Sequence, residues 1–151
     1  MTARPSARAL LRLPYFVPFR LNRLAAAVSE HLAGIYRGRF GLEVPEWRVM
    51  ATVGQERGCT AQFIAASTRM HKTRVSRAIA QLRARGLLER AASSTDRREL
   101  QLRLSASGRR LYAQLVPLAL QREEQLLASL SAPERRAFLG ALERLESHLG
   151  L

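Results

Sequence analysis

The stretch His71-Lys72-Thr73-Arg74-Val75-Ser76-Arg77-Ala78-Ile79-Ala80-Gln81-Leu82-Arg83-Ala84-Arg85-Gly86-Leu87-Leu88-Glu89-Arg90 decides how this chain is read. At about 100° per residue, Val75, Ala78, Ile79 and Leu82 share one helical face. Thr73, Arg77, Ala80 and Ala84 lie opposite them, and Arg74, Ser76 and Gln81 flank that outer face. The pattern predicts a helix over 72–85, with Gly86 just past its end. Polar donors crowd the N-terminal half of the outer face and small alanines continue it. A helix of this kind fits a DNA major groove, where residues of its first turns reach base edges. Arg74 or Arg77 can address guanine O6 and N7 in bidentate fashion, worth about 1–3 kcal/mol of discrimination each. Lys72 and Ser76 are better placed for phosphates.

The surroundings extend this reading in both directions. Upstream, Thr60 is a suitable cap for a helix over 61–67, followed by a break at Thr68, Arg69 and Met70. Two short helices with a tight join make a helix-turn-helix. Downstream, Leu87-Leu88-Glu89-Arg90 reads as a strand, and Ser93-Ser94-Thr95-Asp96 is rich in turn formers. Leu100, Leu102 and Leu104 then alternate with Gln101 and Arg103, the period of a strand with one buried face. The two strands make a hairpin, or wing, with Asp96-Arg97-Arg98 at its tip. An arginine there can enter a minor groove, and Asp96 can orient a guanidinium through paired hydrogen bonds.

Charge supports a polyanion partner through its distribution rather than its total. The 151 residues carry 25 basic and 12 acidic groups, a net charge of +13. All the basic residues but Lys72 are arginine, so part of the excess reflects codon usage. Residues 57–110, however, hold 13 basic and 3 acidic groups, whereas residues 111–151 hold 4 and 5. A positive field clustered on about a third of the chain is the electrostatic footprint of a nucleic-acid binder.

Long amphipathic helices flank the basic module. Over 19–40, Leu21, Leu24, Ala25, Val28, Leu32, Ile35 and Tyr36 recur at spacings of three and four, and Gly38 and Gly41 mark the end. Pro45 and Glu46 suit the first turn of a short helix whose inner face is Trp47, Met50 and Val53, ended by Gly54 or Gly58. A further helix is expected over 106–129, with Leu111, Leu115, Leu118 and Leu126 as core positions and Pro117 within it. Ser131-Ala132-Pro133-Glu134 is a capping box opening a last helix, along which Phe138, Leu142, Leu145 and Leu149 form a seam.

The run from Thr60 through Lys72-Thr73-Arg74-Val75-Ser76-Arg77 to Arg85-Gly86-Leu87-Leu88-Glu89-Arg90 resembles the winged helix of MarR-type transcriptional regulators. The segment Asp96-Arg97-Arg98-Glu99-Leu100-Gln101-Leu102-Arg103-Leu104-Ser105-Ala106-Ser107-Gly108 is similar to that family's wing motif. Leu42-Glu43-Val44-Pro45-Glu46-Trp47-Arg48 is also family-like. Two departures are Ser105 in place of the commoner threonine, and His71 where a better helix cap is usual. The resemblance covers about residues 15–150. It implies a mainly α fold with a β wing, in which a winged helix-turn-helix over 42–105 binds DNA. A basic arm over 1–17 precedes it, and helices over 18–41 and 106–151 form the dimerisation region.

The resemblance also implies a homodimeric, sequence-specific regulator of double-stranded DNA, a repressor on a pseudo-palindromic operator. A small aromatic acid or its thioester would release it. The leucine seams agree with a dimer, since they exceed what one small domain needs to bury. DNA contacts are expected from Thr60, Lys72, Thr73, Arg74, Ser76, Arg77, Asp96, Arg97 and Arg98. Phe19, Arg20, Arg23, His31 and Trp47 are the candidate effector residues, because aromatic walls and an arginine suit an aromatic carboxylate. The alternatives are a constitutive DNA binder without effector and a cysteine-based redox regulator.

Other classes fit less well. A Gly-rich phosphate loop, paired catalytic carboxylates and a nucleophile–base set are all missing, so no enzyme is expected. Near-absence of lysine and a slightly acidic C-terminal segment disfavour a ribosomal type of RNA binder. One cysteine, Cys59, excludes an intrachain disulfide, and His31, His71 and His148 lie too far apart for a metal motif, so no cofactor or metal is expected. The basic start with Arg4, Arg8 and Arg12 resembles a targeting peptide, but its apolar stretch Ala9-Leu10-Leu11 is broken by Arg12 and then Pro14. No run reaches the length of a membrane span, which leaves a cytoplasmic protein without membrane contact as the expectation.

Overall fold

The computed structural model describes residues 10–92 and 100–151. After a helical turn at Leu13–Tyr15, six α-helices and one hairpin follow among the described residues: α1 (Val17–Phe40), α2 (Val44–Glu56), α3 (Ala61–Thr68), α4 (Lys72–Ala84), β1 (Leu88–Ala92), β2 (Leu100–Leu104), α5 (Ala106–Leu127) and α6 (Ala132–Leu149). The mainly helical fold with a two-stranded wing is as expected. Helix α1 starts at Val17, two residues early, because Pro18 fits its first turn, where no amide partner is needed. It ends at Gly41, whose left-handed φ of 60° lets its amide reach the Arg37 carbonyl and the Leu42 amide reach that of Tyr36.

Local signals set most other boundaries. In α2, Glu43 and Glu46 form a capping box, and the Glu46 carboxylate accepts from the Glu43 amide at 2.9 Å. Glu46 therefore binds a specific donor rather than only complementing the helix dipole. The two glycines expected to end α2 do not. Gly54 lies inside the helix, where an added Cβ would fall 2.8 Å from the Tyr112 ring, and the chain turns at left-handed Arg57. Thr60 caps α3 by accepting from the Phe63 amide at 3.1 Å. His71 does cap α4, its Nδ1 accepting from the Thr73 amide at 3.3 Å. The first strand starts at Leu88, one residue later than its pattern indicated, after Gly86 at a φ of 66°.

The hairpin pairs antiparallel from Leu88↔Leu104 to Ala92↔Leu100. Cys59 adds a third chain on the far side of β2: its amide donates to the Leu102 carbonyl at 3.1 Å and its carbonyl accepts from the Leu102 amide at 2.8 Å. The core fills the space between α2, α3, α4 and the hairpin, with Val49, Met50, Val53, Ile64, Val75 and Leu82 buried. Ala33 and Tyr36 of α1 and Leu115 of α5 close it.

The helical flanks leave apolar residues exposed, in line with seams that exceed what one small domain buries. Leu21 and Leu24 of α1 are exposed, and α6 buries no residue at all. Helix α5 stops at Leu127, and it is Leu127 rather than Leu126 that is buried. Each seam is apolar at helical spacing, and among the described residues it is covered only in part.

Candidate nucleic-acid interface

Burial on α4 divides as its sequence angles dictate. Val75, Ala78, Ile79 and Leu82 are buried, while Lys72, Thr73, Arg74, Ser76 and Arg77 all face solvent. Three ion pairs occur among the described residues, joining Arg37 to Glu30, Arg37 to Glu43 and Arg135 to Glu124. None neutralises α4, so its cations present an open positive face. Thr60 is half-buried and spends its hydroxyl oxygen on the α3 cap, which leaves the O–H proton as a donor. Asp96, Arg97 and Arg98 lie outside the described residues.

The structure adds two basic residues that the sequence reading missed. Arg83 of α4 and Arg90 of β1 face a hollow of about 210 Å³, together with Ser76 and Ala80. Ser76, Ala80 and Arg83 follow each other at spacings of four and three, a stripe legible in the sequence. The position of Arg90 beside them depends on the hairpin folding back.

Side chains at both ends of the unit hold its orientation. Arg85, at the end of α4, donates from both terminal guanidinium nitrogens, to the Gly41 and Phe40 carbonyls, each at 2.8 Å. Ser105 links the wing to α5: its amide donates to the Leu87 carbonyl at 3.1 Å and its hydroxyl to the Gly86 carbonyl at 2.5 Å, while its oxygen accepts from the Gly108 amide. Serine therefore performs the capping role that the commoner threonine would.

The five candidate effector residues do not meet. His31 and Trp47 line a cavity of about 360 Å³ between α1, α2, α5 and α6, with Val28, Leu32, Leu127 and Phe138 among its apolar walls and Arg122 and Glu123 among its polar ones. Trp47 is half-buried and sandwiched, its ring 5.8 Å from Tyr36 and 6.5 Å from Tyr112 between centroids. Arg20 and Arg23 line a separate groove with Pro14, Leu21 and Leu24. Phe19 lies under the Arg23 guanidinium at 5.6 Å and is no part of either lining. The cause is length: at 1.5 Å per residue, Arg23 and His31 lie about 12 Å apart along α1.

Cys59 is buried, and its thiol is pushed up to about 11, by desolvation first and by the Glu56 carboxylate second. The thiolate that redox chemistry requires is therefore scarce near neutral pH. Among the described residues there is no cluster of metal-ligating side chains, and no helix is long and apolar enough to cross a membrane.

Comparison with known proteins places the same region in view. Residues 40–99 match the MarR family. The HTH-type transcriptional repressor Mb2911 of Mycobacterium bovis is 28% identical over 107 residues, 71% of this chain and 77% of that protein. The MarR family transcriptional regulator SPO1453 of Silicibacter pomeroyi superposes with a TM-score of 0.81 at 28% identity, over 92% of this chain and 98% of that one. BpsR of Bordetella bronchiseptica, whose DNA binding is regulated by 6-hydroxynicotinic acid, shares the fold with a TM-score of 0.78 at 22% identity, over 91% and 98% of the two chains.

Proposed function

We propose that this chain, whose residues 40–99 match the MarR family, is a DNA-binding transcriptional regulator of that type, a homodimeric repressor of a pseudo-palindromic operator released by a small aromatic acid or its thioester. The observation that carries the proposal is the pairing of an open cationic α4 face with apolar seams that one chain covers only in part. Phe138, Leu142 and Leu145 are 41%, 37% and 47% exposed. Covering such a stripe with its two-fold copy is the simplest way to remove it from water. Helices α1, α5 and α6 then form the dimerisation region and residues 42–105 the DNA-binding unit, so that two α4 helices meet half-sites about 34–36 Å apart.

Thr60, Lys72, Thr73, Arg74, Ser76 and Arg77 are the proposed contacts of the helical unit, and Asp96, Arg97 and Arg98 those of the wing tip. The proposed effector cavity is the one lined by His31 and Trp47. Its apolar walls suit an aromatic body, and His31 and Arg122 offer donors to a carboxylate. Arg20 and Arg23 are proposed as contributors from their separate groove, with Phe19 supporting Arg23. A cytoplasmic location follows from the DNA target. The redox alternative finds no support in the burial of Cys59.

Sedimentation equilibrium tests the dimer: wild type should sediment at twice the mass of the Leu142→Glu variant. An operator is obtained by selection from a random duplex pool, and titration should saturate at two chains per duplex. A monomer that binds single half-sites with full affinity would contradict the proposal. Trp47 is the only tryptophan, so its fluorescence reports directly on aromatic acids entering the cavity. An acid that quenches it without weakening operator binding would contradict the release step.

A further inference from the structure

A second hollow, of about 380 Å³, lies behind the wing and is lined by Val53, Gly54, Arg57, Arg103, Leu104 and Arg109. Three arginines from three elements meet there: the turn ending α2, strand β2 and the first turns of α5. One of them is held by a hydrogen bond and a second packs against the backbone. The Arg109 guanidinium donates to the Leu104 carbonyl at 2.9 Å, and the Arg103 stem lies over Gly58, where an added Cβ would fall 3.1 Å from its Cγ. Among the described residues none of the three is ion-paired. Among the described residues, Glu56 beside Arg57 and Glu89 opposite Arg103 in the hairpin are not part of the lining.

Like charges brought together on restrained side chains repel unless an anion joins them. Arginine forks match the geometry of phosphate and carboxylate oxygens. The floor, made by buried Val53 and Leu104, is apolar, so the hollow offers an oxyanion subsite and room for a small apolar body. We infer that this hollow is a binding site for a small oxyanion-bearing molecule, an organic phosphate or carboxylate, separate from the cavity at His31 and Trp47.

DNA phosphate is the other source of the same chemistry, and the position disfavours it. Leu104 pairs with Leu88 at the end of the hairpin remote from its tip, and no residue of α4 lines the hollow. The ligand would instead bridge α2, the base of the wing and the start of α5. It would thereby fix the angle between the DNA-binding unit and the helical flank.

The test uses the full chain and inorganic phosphate as probe, with chloride at equal ionic strength as reference. The expected result is a saturable rise in Tm with phosphate that chloride does not reproduce. Arg57→Asn keeps a residue tolerant of the left-handed turn, and Arg103→Gln keeps the strand; each should weaken apparent phosphate affinity about tenfold. A phosphate response unchanged in both variants, or one that never saturates and matches chloride, would overturn the site. Should either variant fail to fold, the arginine Nε resonances of the wild-type chain decide: phosphate must shift those of Arg57, Arg103 and Arg109, and their silence overturns the site. Binding to a random-sequence duplex across a salt series separates the two sources. An unchanged salt slope in the variants supports a small ligand, whereas a slope reduced by about one per arginine removed assigns these residues to the DNA backbone and overturns the inference.

Discussion

Gly108 packs its bare Cα face against the carbonyl of Leu87: a Cβ at this position would lie 2.0 Å from that oxygen. The contact joins the start of α5 to the residue that enters the wing, and the same carbonyl accepts from the Ser105 amide. The hydroxyl residue and the glycine three positions on thus form one joint. Serine caps the helix, and glycine lets the helix come close enough to be tied to the strand.

Gly108→Ala should therefore cost about 3 kcal/mol, because the neighbour in the way is backbone and cannot rotate aside. Gly38→Ala, in an exposed stretch of α1 with nothing within 4 Å, should instead gain about 0.5–1 kcal/mol. Urea unfolding of both variants measures the contrast. Equal midpoints would show that the joint is not tight.

Arg85→Lys keeps the charge but loses the fork that serves two carbonyls at the end of α1. Stability should fall by about 1 kcal/mol. Operator affinity should fall with no change in its salt slope, since Arg85 acts on the helix rather than on phosphate. A reduced slope would mean that Arg85 touches the DNA backbone.

Arg77→Ala should abolish preference for the selected operator while weak binding to random duplex persists. Arg77 is exposed on α4, on the face opposite Val75, Ala78, Ile79 and Leu82. The loss of discrimination should be about 1–3 kcal/mol. Parallel losses on both duplexes would make Arg77 a phosphate contact instead.

The Cys59 thiol ionises near 11 in the folded chain and at about 8.5 when unfolded. Its folded value is the higher one. Its contribution to stability is thus complete below the unfolded value and disappears as pH climbs from about 8.5 through about 11. The slope of stability against pH over that window should flatten in Cys59→Ala. Native wild type should also react with a thiol reagent only at the rate of unfolding. Fast labelling at pH 7, with loss of DNA binding after peroxide, would restore a redox role.

Legibility in the sequence followed the range of the interaction. The two faces of α4 and the caps at Thr60 and Ser131 rest on neighbours within a few residues, and the pairing of β1 with β2 spans at most 16. Composition and spacing alone express such signals. The end of α2 was misplaced because Gly54 answers to Tyr112, 58 positions along the chain. Arg83 and Arg90 share a hollow only because β1 folds back on α4.

By itself the sequence determined the helix that carries Arg74 and Arg77, the direction its cations face and the wing that follows, because helical and strand periodicities are properties of the local chain. Only the tertiary structure decided what the remaining groups do. It paired Cys59 with Leu102 in a single β-bridge, tied Arg85 to the end of α1, and divided Phe19, Arg20 and Arg23 from His31 and Trp47. It also left Leu142 and its neighbours partly exposed. Apolar spacing states that a helix has a face to bury, but the partner that buries it is chosen by packing between segments far apart in the chain.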